Sequence, residues 1–432
     1  MMSTIGEINK TARVGRTVNA DDEYEPDKTD EIDSTVNIDD EYEPDKTDEI
    51  DRTVNIDDEY EPDNTIEIDK IDNTIHGTPI EQMAEFLSDY HGPEIKIMEV
   101  CGTHTAGIFK SGIRDILSDK IRLISGPGCP VCVTPTSYID ACIKWAKTPD
   151  TVLLSFGDML KVPGEESSLS KAISDGANVR MIYSPFEAIE LAKAEPEKTF
   201  IVAAVGFETT APSYALLLDE VIDLGLANVK LLTALKESIP AIEWVLENEP
   251  AIDAFLCPGH VAVITGVAAF APLAEQYRKP LVIGGFEPEH ILSAIYEIVL
   301  AVEKTRNPVT SVASAELLRN VYSEAVSNQG NLRAQHIVDK YFTRDNAIWR
   351  GLGNLPNTGY FLKEEYARYD VGSRAIIHDK ALPVGCACAD VITGRKNPDE
   401  CSMYAVKCTP FNPYGPCMVS SEGACGIWYR NR

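Results

Sequence analysis

The sequence predicts an α/β protein: two similar parallel-sheet α/β domains plus a smaller cysteine-rich domain, preceded by a disordered acidic repeat tail. Three observations carry this expectation. Apolar runs of strand length recur from "EIKIMEV" to "KPLVIGG", with helically spaced segments between most of them. That rhythm belongs to parallel strands covered by helices. Six of the eleven cysteines fall between Cys386 and Cys425. Residues 17–70 hold 23 Asp/Glu against 4 Lys/Arg, a composition that forms no core.

The tail comes first, over residues 1–74. Three units begin at Thr17, Thr35 and Thr53, a period of 18. Each has one Pro, one Tyr and too few apolar residues to offset the entropy of ordering it. The plain reading is a solvated acidic segment; a docking tail for a basic partner, or a weak divalent-cation binder, is the functional alternative. The Asp-Asp-Glu clusters lack the EF-hand loop pattern. This stretch carries −19 of the formal net charge of −29, leaving −10 for the other 378 residues. Neither nucleic acid nor an anionic membrane surface has a basic footprint to meet.

Met1 to Val18 has no apolar core of the kind a secretory signal needs. The longest charge-free run, Ala254 to Ala274, is broken by Pro258, Gly259 and Pro272. It reads as strand, turn and helix rather than a membrane span. A cytoplasmic protein is expected. Cysteines in such a compartment serve metal binding or thiol redox chemistry rather than a disulfide framework.

Eight strand-like runs come next: "EIKIMEV", "KIRLIS", "TVLLSF", "NVRMIYS", "TFIVAAV", "NVKLLTA", "IDAFLC" and "KPLVIGG". Helical spacing appears in "TSYIDACIKWAK", "PFEAIELAKA" and "SYALLLDEVIDLG". Two domains are expected, 75–195 and 196–300, divided near Ala194 to Lys198, with a closed barrel as the competing arrangement. After Ile291 helical segments run to about Tyr341, and then Gly and Pro become frequent. Residues 301–432 read as a helical and cysteine-rich third domain.

Ligands gather at the carboxyl ends of strands in open α/β sheets. The turns at those ends are chemically loaded here: Cys101-Gly-Thr-His104, Gly128-Cys129-Pro-Val-Cys132, Gly157-Asp158, Gly206-Phe-Glu208-Thr209, Cys257-Pro-Gly-His260 and Gly284-Gly-Phe-Glu287. Cys101 with His104 fits a metal-ligand pair or a thiol beside its acid or base. Cys129 and Cys132, after a Gly-Pro-Gly turn, suit a redox dithiol or half a metal site. A helix starting at that turn would favour their thiolates. Cys142 lies on an apolar helix face and Cys257 in a strand, where core packing is expected. Cys386, Cys401, Cys408 and Cys425 are spaced by 14, 6 and 16 residues, unlike the tight ferredoxin run. Zinc or an iron–sulfur cluster fits their soft thiolates.

Taken in order, "MEVCGTHT", "GPGCPVCVTP", "SFGDMLKVPG", "GFETTAPS", "CPGHV", "GGFEP" and "GPCMVSSEGAC" closely resemble the HypD family of hydrogenase-maturation proteins, over roughly Ile80 to Tyr429. The resemblance implies two similar α/β domains and a smaller domain carrying a [4Fe-4S] cluster. It implies a scaffold for assembling the Fe(CN)2CO unit of [NiFe] hydrogenases. The implied partners are a HypC-type small chaperone, a HypE-type cyanide donor and, indirectly, the hydrogenase large subunit. By position, Cys101 would hold the transient iron centre with His104 beside it, and Cys129 and Cys132 would be the redox dithiol. The family's C-x14-C-x6-C-x16-C pattern falls on Cys386, Cys401, Cys408 and Cys425; Cys388 and Cys417 lie outside it. Asp158, Glu208, Thr209 and His260 are candidate pocket residues. A stand-alone iron–sulfur-dependent thiol–disulfide oxidoreductase is the alternative in another class.

Overall fold

The strands form where β-branched and large apolar residues run uninterrupted, as they must when both faces of a parallel sheet are covered. In the computed structural model, residues 78–307, 312–380 and 384–431 are described, within a unit that runs from Ile68 to Arg432. The acidic repeats lie outside the described residues. All eight expected strands are present: β1 (Ile95–Glu99), β2 (Ile121–Ser125), β3 (Thr151–Ser155), β4 (Val179–Met181), β5 (Thr199–Gly206), β6 (Val229–Lys236), β7 (Ala254–Pro258) and β8 (Leu281–Gly284). Three more lie beyond them: β9 (Leu318–Asn320), β10 (Phe342–Trp349) and β11 (Gly353–Leu362).

They make two open sheets rather than a barrel. One has the order β2-β1-β7-β8-β9, with every pair parallel. The other has the order β10-β11-β6-β5-β3-β4, parallel from β6 to β4 and closed at one edge by the antiparallel β10–β11 ribbon. Sheet membership cuts across the boundary expected at 195/196. The chain lays down β1 and β2 in one sheet, builds β3 to β6 in the other, returns for β7 to β9, and crosses again for β10 and β11. Strand–helix rhythm reports that strands are parallel; it does not report which sheet each one joins, because every crossover is long.

Each sheet buries two faces, and alternate residues divide between them. On the five-stranded sheet, Ile95, Ile97, Leu123 and Leu256 pack with Ile291, Ile295 and Ile298 of the helix Pro288–Arg306. Met98, Ile124, Phe255 and Ile283 face the other way, onto Ile242 and Val245. On the six-stranded sheet, Val152, Phe200 and Val202 meet the helix Ala211–Asp223 through Tyr214, Leu217 and Leu218. The opposite face, with Leu153, Ile201 and Leu232, packs on Tyr138, Ile139 and Cys142 of the helix Thr136–Ala146. That same core takes in Cys388, Val391, Ile392, Met403, Cys408, Cys417 and Cys425. The cysteine-rich segment is thus buried against the second sheet. Its helices are five and seven residues long, too short to persist without tertiary contacts.

Candidate functional site

Cys101 stands one residue beyond Val100, whose N–H donates to the carbonyl of Leu256 on β7 at 3.1 Å. Its backbone is extended (φ −153°, ψ 129°) and it occupies the N-cap of the helix Gly102–Lys110. Two glycines let other segments close on it. A Cβ on Gly128 would come within 2.6 Å of the Cys101 nitrogen and Cα, and one on Gly102 within 2.3 Å of the Glu422 carbonyl oxygen. The turns of "MEVCGTHT", "GPGCPVC" and "SSEGAC" therefore converge at this thiol. Burial raises its pKa, against amide hydrogen bonds from His104 and Thr103, and the carboxylate of Glu422 adds to the rise. A thiol in that state ionises when a soft cation takes the proton's place.

His104 is fully buried, and its Nε2 lies 2.9 Å from the Gly285 carbonyl and 3.2 Å from that of Gly284. Both partners are acceptors, so Nε2 carries a hydrogen, and the desolvated ring is neutral near pH 7. Desolvation pushes its pKa down to about 4. Nε2 is committed to holding the "GGFEP" turn; Nδ1, buried without a hydrogen-bond partner, is the nitrogen left for any ligand. Phe286 stacks on His104 at 4.5 Å and on the exposed His260 at 3.7 Å. One phenyl ring thus orients both imidazoles.

Beneath the thiol, the buried Glu99 accepts from Arg114 Nη2 at 3.0 Å and from the Thr105 hydroxyl. Desolvation raises its carboxyl, and Arg114 and Thr105 oppose the rise. The Arg114 guanidinium stacks over Phe109 and Trp428, 4.9 Å from each ring centre. Trp428 belongs to the helix Ala424–Arg430, which carries Cys425 near its start. The strand that presents Cys101 is therefore clamped to the cysteine-rich segment.

Cys129 and Cys132 are joined as a disulfide with Cα atoms 5.3 Å apart, and both are buried. The Cys132 N–H donates to the Cys129 sulfur at 3.1 Å. The expected helix does not begin at this turn; it begins at Thr136, because Pro130 and Pro135 break the run. Among the described residues no helix begins between Cys129 and Pro135.

The C-terminal cysteines gather in one place. Cys408 is influenced by Cys386 and Cys401, and Cys425 by Cys388, Cys408, Cys386 and Cys401. Burial and this mutual repulsion raise the Cys408 and Cys425 thiols, so these two ionise only against a cation. Backbone N–H groups of Ala387 and Tyr414 point at the sulfurs of Cys401 and Cys408, at 3.4 and 3.3 Å. Among the described residues no three Cys, His, Asp or Glu side chains converge on a single ion. A four-iron cluster does not need that convergence, since each cysteine ligates a different iron. Soft donors with N–H···S bonds fit such a group. Cys388 and Cys417, which lie outside the family's cysteine pattern, touch each other at 2.7 Å between sulfurs.

A family model named HypD, described as a hydrogenase formation family, matches residues 78–432. The chain belongs to the HypD family of hydrogenase-maturation factors. It is 38% identical over 371 residues to the maturation factor HypD of Azotobacter vinelandii, covering 83% of this chain and 96% of the relative. It is 36% identical over 361 residues to HypD of Escherichia coli K12, covering 82% and 93%. The Rhodobacter capsulatus HypD is 35% identical over 363 residues, covering 81% and 93%.

The candidate pocket residues of this HypD-family chain lie in differing surroundings. Asp158 follows β3 in a turn of 3-10 helix; its surface is wetted, yet protein crowds it enough to raise its carboxyl. It raises Glu422 in turn, which places both acids on the Cys101 side. Glu208 lies elsewhere, lining a cavity of about 290 Å³ with Glu237, Arg344 and Tyr360. Burial lifts its carboxyl to about 7 despite the Ser238 amide at 2.7 Å and hydroxyl at 3.0 Å. Thr209 is exposed before the helix Ala211–Asp223. Glu422 was missed because a lone acid between Ser421 and Gly423 looks like a solvated turn. Among the described residues no helix is long and apolar enough to cross a membrane.

Proposed function

We propose that this chain scaffolds assembly of the Fe(CN)2CO unit of [NiFe] hydrogenases in the cytoplasm. It would act with a HypC-type chaperone and a HypE-type cyanide donor, and deliver to the hydrogenase large subunit. The observation that carries the reading is the Cys101 thiol at the meeting point of three turns, with the charge of Glu422 acting on it and that of Asp158 acting on Glu422. The iron unit is cargo here. A thiolate at Cys101 is a soft anchor for low-spin iron with strong-field ligands. Asp158 and Glu422 form an acidic wall that attracts the cation, and the neutral His104 keeps the "GGFEP" turn in place without adding positive charge.

Cys386, Cys401, Cys408 and Cys425 would hold a [4Fe-4S] cluster, which supplies single electrons when bound. Cys388 with Cys417, and Cys129 with Cys132, lie in the same buried core. Exchange between them is balanced: the dithiol gives two electrons and two protons, the disulfide becomes a dithiol, and the donor pair closes its own S–S bond. Burial of the Cys129–Cys132 bond speaks against the stand-alone oxidoreductase, whose disulfide must meet a protein substrate.

The test is iron, zinc and acid-labile sulfide content, with EPR after reduction, on anaerobically purified wild type, Cys401→Ser and Cys129→Ser. Near-stoichiometric iron and sulfide, lost in Cys401→Ser, is the expected result. Cys129→Ser should keep its cluster and abolish hydrogenase maturation in cells; normal maturation would remove the dithiol from the mechanism. Zinc without sulfide would remove the cluster.

A further inference from the structure

Arg350 follows β10 and is 3% exposed. Its own N–H donates to the carbonyl of Val133, one residue past Cys132, at 2.8 Å. Its Nη1 donates to the Pro163 carbonyl at 2.9 Å, and its Nε has no hydrogen-bond partner. The next residue, Gly351, sits on the cysteine-rich segment: a Cβ there would lie 3.0 Å from that of Ala389, the neighbour of Cys388. Cys388 in turn contacts Cys417, and Cys386 and Cys388 both close on Gly415, with sulfurs 3.0 and 3.3 Å from where its Cβ would be.

A buried guanidinium needs a compensating anion. The groups whose charges bear on Arg350 are, in order, Asp379, Cys388, Cys417 and Cys386. Asp379 already accepts from the Thr136 amide and hydroxyl and from the Gly351 amide, at 2.9, 3.1 and 3.2 Å. Of the sulfurs, Cys386 belongs to the proposed cluster set and becomes a thiolate when that set is metallated. Asp379 offsets part of the Arg350 charge, and the loaded centre would offset more of it.

We propose that Arg350 is a positioning residue that raises the reduction potential of the C-terminal cysteine centre by keeping a fixed positive charge beside it. The inference rests on the assignment of a cluster to Cys386, Cys401, Cys408 and Cys425. Taking up one electron adds one negative charge at the centre and changes nothing on Arg350, so the cation favours the reduced form. A purely structural Arg350 would only tie β10 to the loops at Val133 and Pro163.

An EPR-monitored redox titration with dithionite as reductant separates the two roles. Arg350→Met keeps the stem and loses the charge; Arg350→Lys keeps the charge and loses the fork. The methionine variant should fall at least tenfold in its reduced-to-oxidised ratio at a fixed potential, 59 mV for a one-electron couple. Lysine should restore most of that. Asp379→Asn, which removes the opposing charge, should shift the midpoint upward. A cluster-bearing Arg350→Met with an unchanged midpoint overturns the proposal. If that variant does not fold, an unshifted Asp379→Asn overturns it. Wild type devoid of iron and sulfide instead removes the cluster assignment, and this inference with it.

Discussion

Two buried titratable side chains give the molecule opposed pH dependences. His104 drops to about 4 from an ordinary 6.5. The unfolded chain therefore binds a proton that the fold excludes, and stability falls as pH drops from about 6.5 to 4, by up to about 3 kcal/mol. Glu208 rises from 4.5 to about 7. Its contribution is fully present below about 4.5 and is lost as pH rises through about 7, again by about 3 kcal/mol. We predict that Glu208→Gln flattens the stability profile between pH 5 and 8 and gains most at the alkaline end. Urea midpoints at each pH provide the check; a parallel downward shift at every pH would show that the carboxyl is ionised in the fold. His104→Gln should act on the acid limb alone.

At the scale of elements, the glycine turns decide whether the site assembles. A Cβ on Gly128 would meet the Cys101 nitrogen and Cα and the Val100 carbonyl carbon at 2.6 Å, all backbone atoms that cannot step aside. Gly128→Ala should cost about 1–3 kcal/mol as an overpacked contact and push Cys101 away from Cys129. Gly157→Ala would meet only the flexible Met181 thioether at 3.1 Å and should stay within about 0.5 kcal/mol. Melting temperature and hydrogenase maturation should separate these variants. The eight strands through "KPLVIGG" were legible because continuous Val, Ile and Leu runs leave little choice of structure. The β10–β11 ribbon was not. "GNLPNTGYFL" holds two glycines, a proline and two asparagines, with Asn357 at φ 54°, and it reads as loop until pairing with β6 orders it. The motif turns were legible one by one; which of them meet was not. Glu208 and Asp158 follow neighbouring strands of one sheet, yet Glu208 lines a cavity with Glu237 and Tyr360 while Asp158 acts on Glu422, a division that sequence position does not report.

At the scale of the molecule, each sheet is assembled from two separated pieces of chain, so neither can form while the other is missing its crossover. The C-terminal segment adds a third tie through Trp428, Arg114 and Glu99. Glu99 is fully buried at its side chain and Arg114 is 22% exposed. Removing the arginine leaves a carboxylate without its cation in a dry site, the costly way to break a pair. Arg114→Met should lose about 3 kcal/mol at pH 7. The loss should shrink toward pH 5, because the Glu99 carboxyl, already raised by burial, takes up a proton more readily once its cation is gone. Adding Glu99→Gln should recover most of the stability and isolate the pair energy as a double-mutant cycle. Far-UV circular dichroism and tryptophan fluorescence should trace one coincident urea transition in all three variants. Two transitions would mean that the sheets unfold separately, and the interleaved chain path would then not be what couples them.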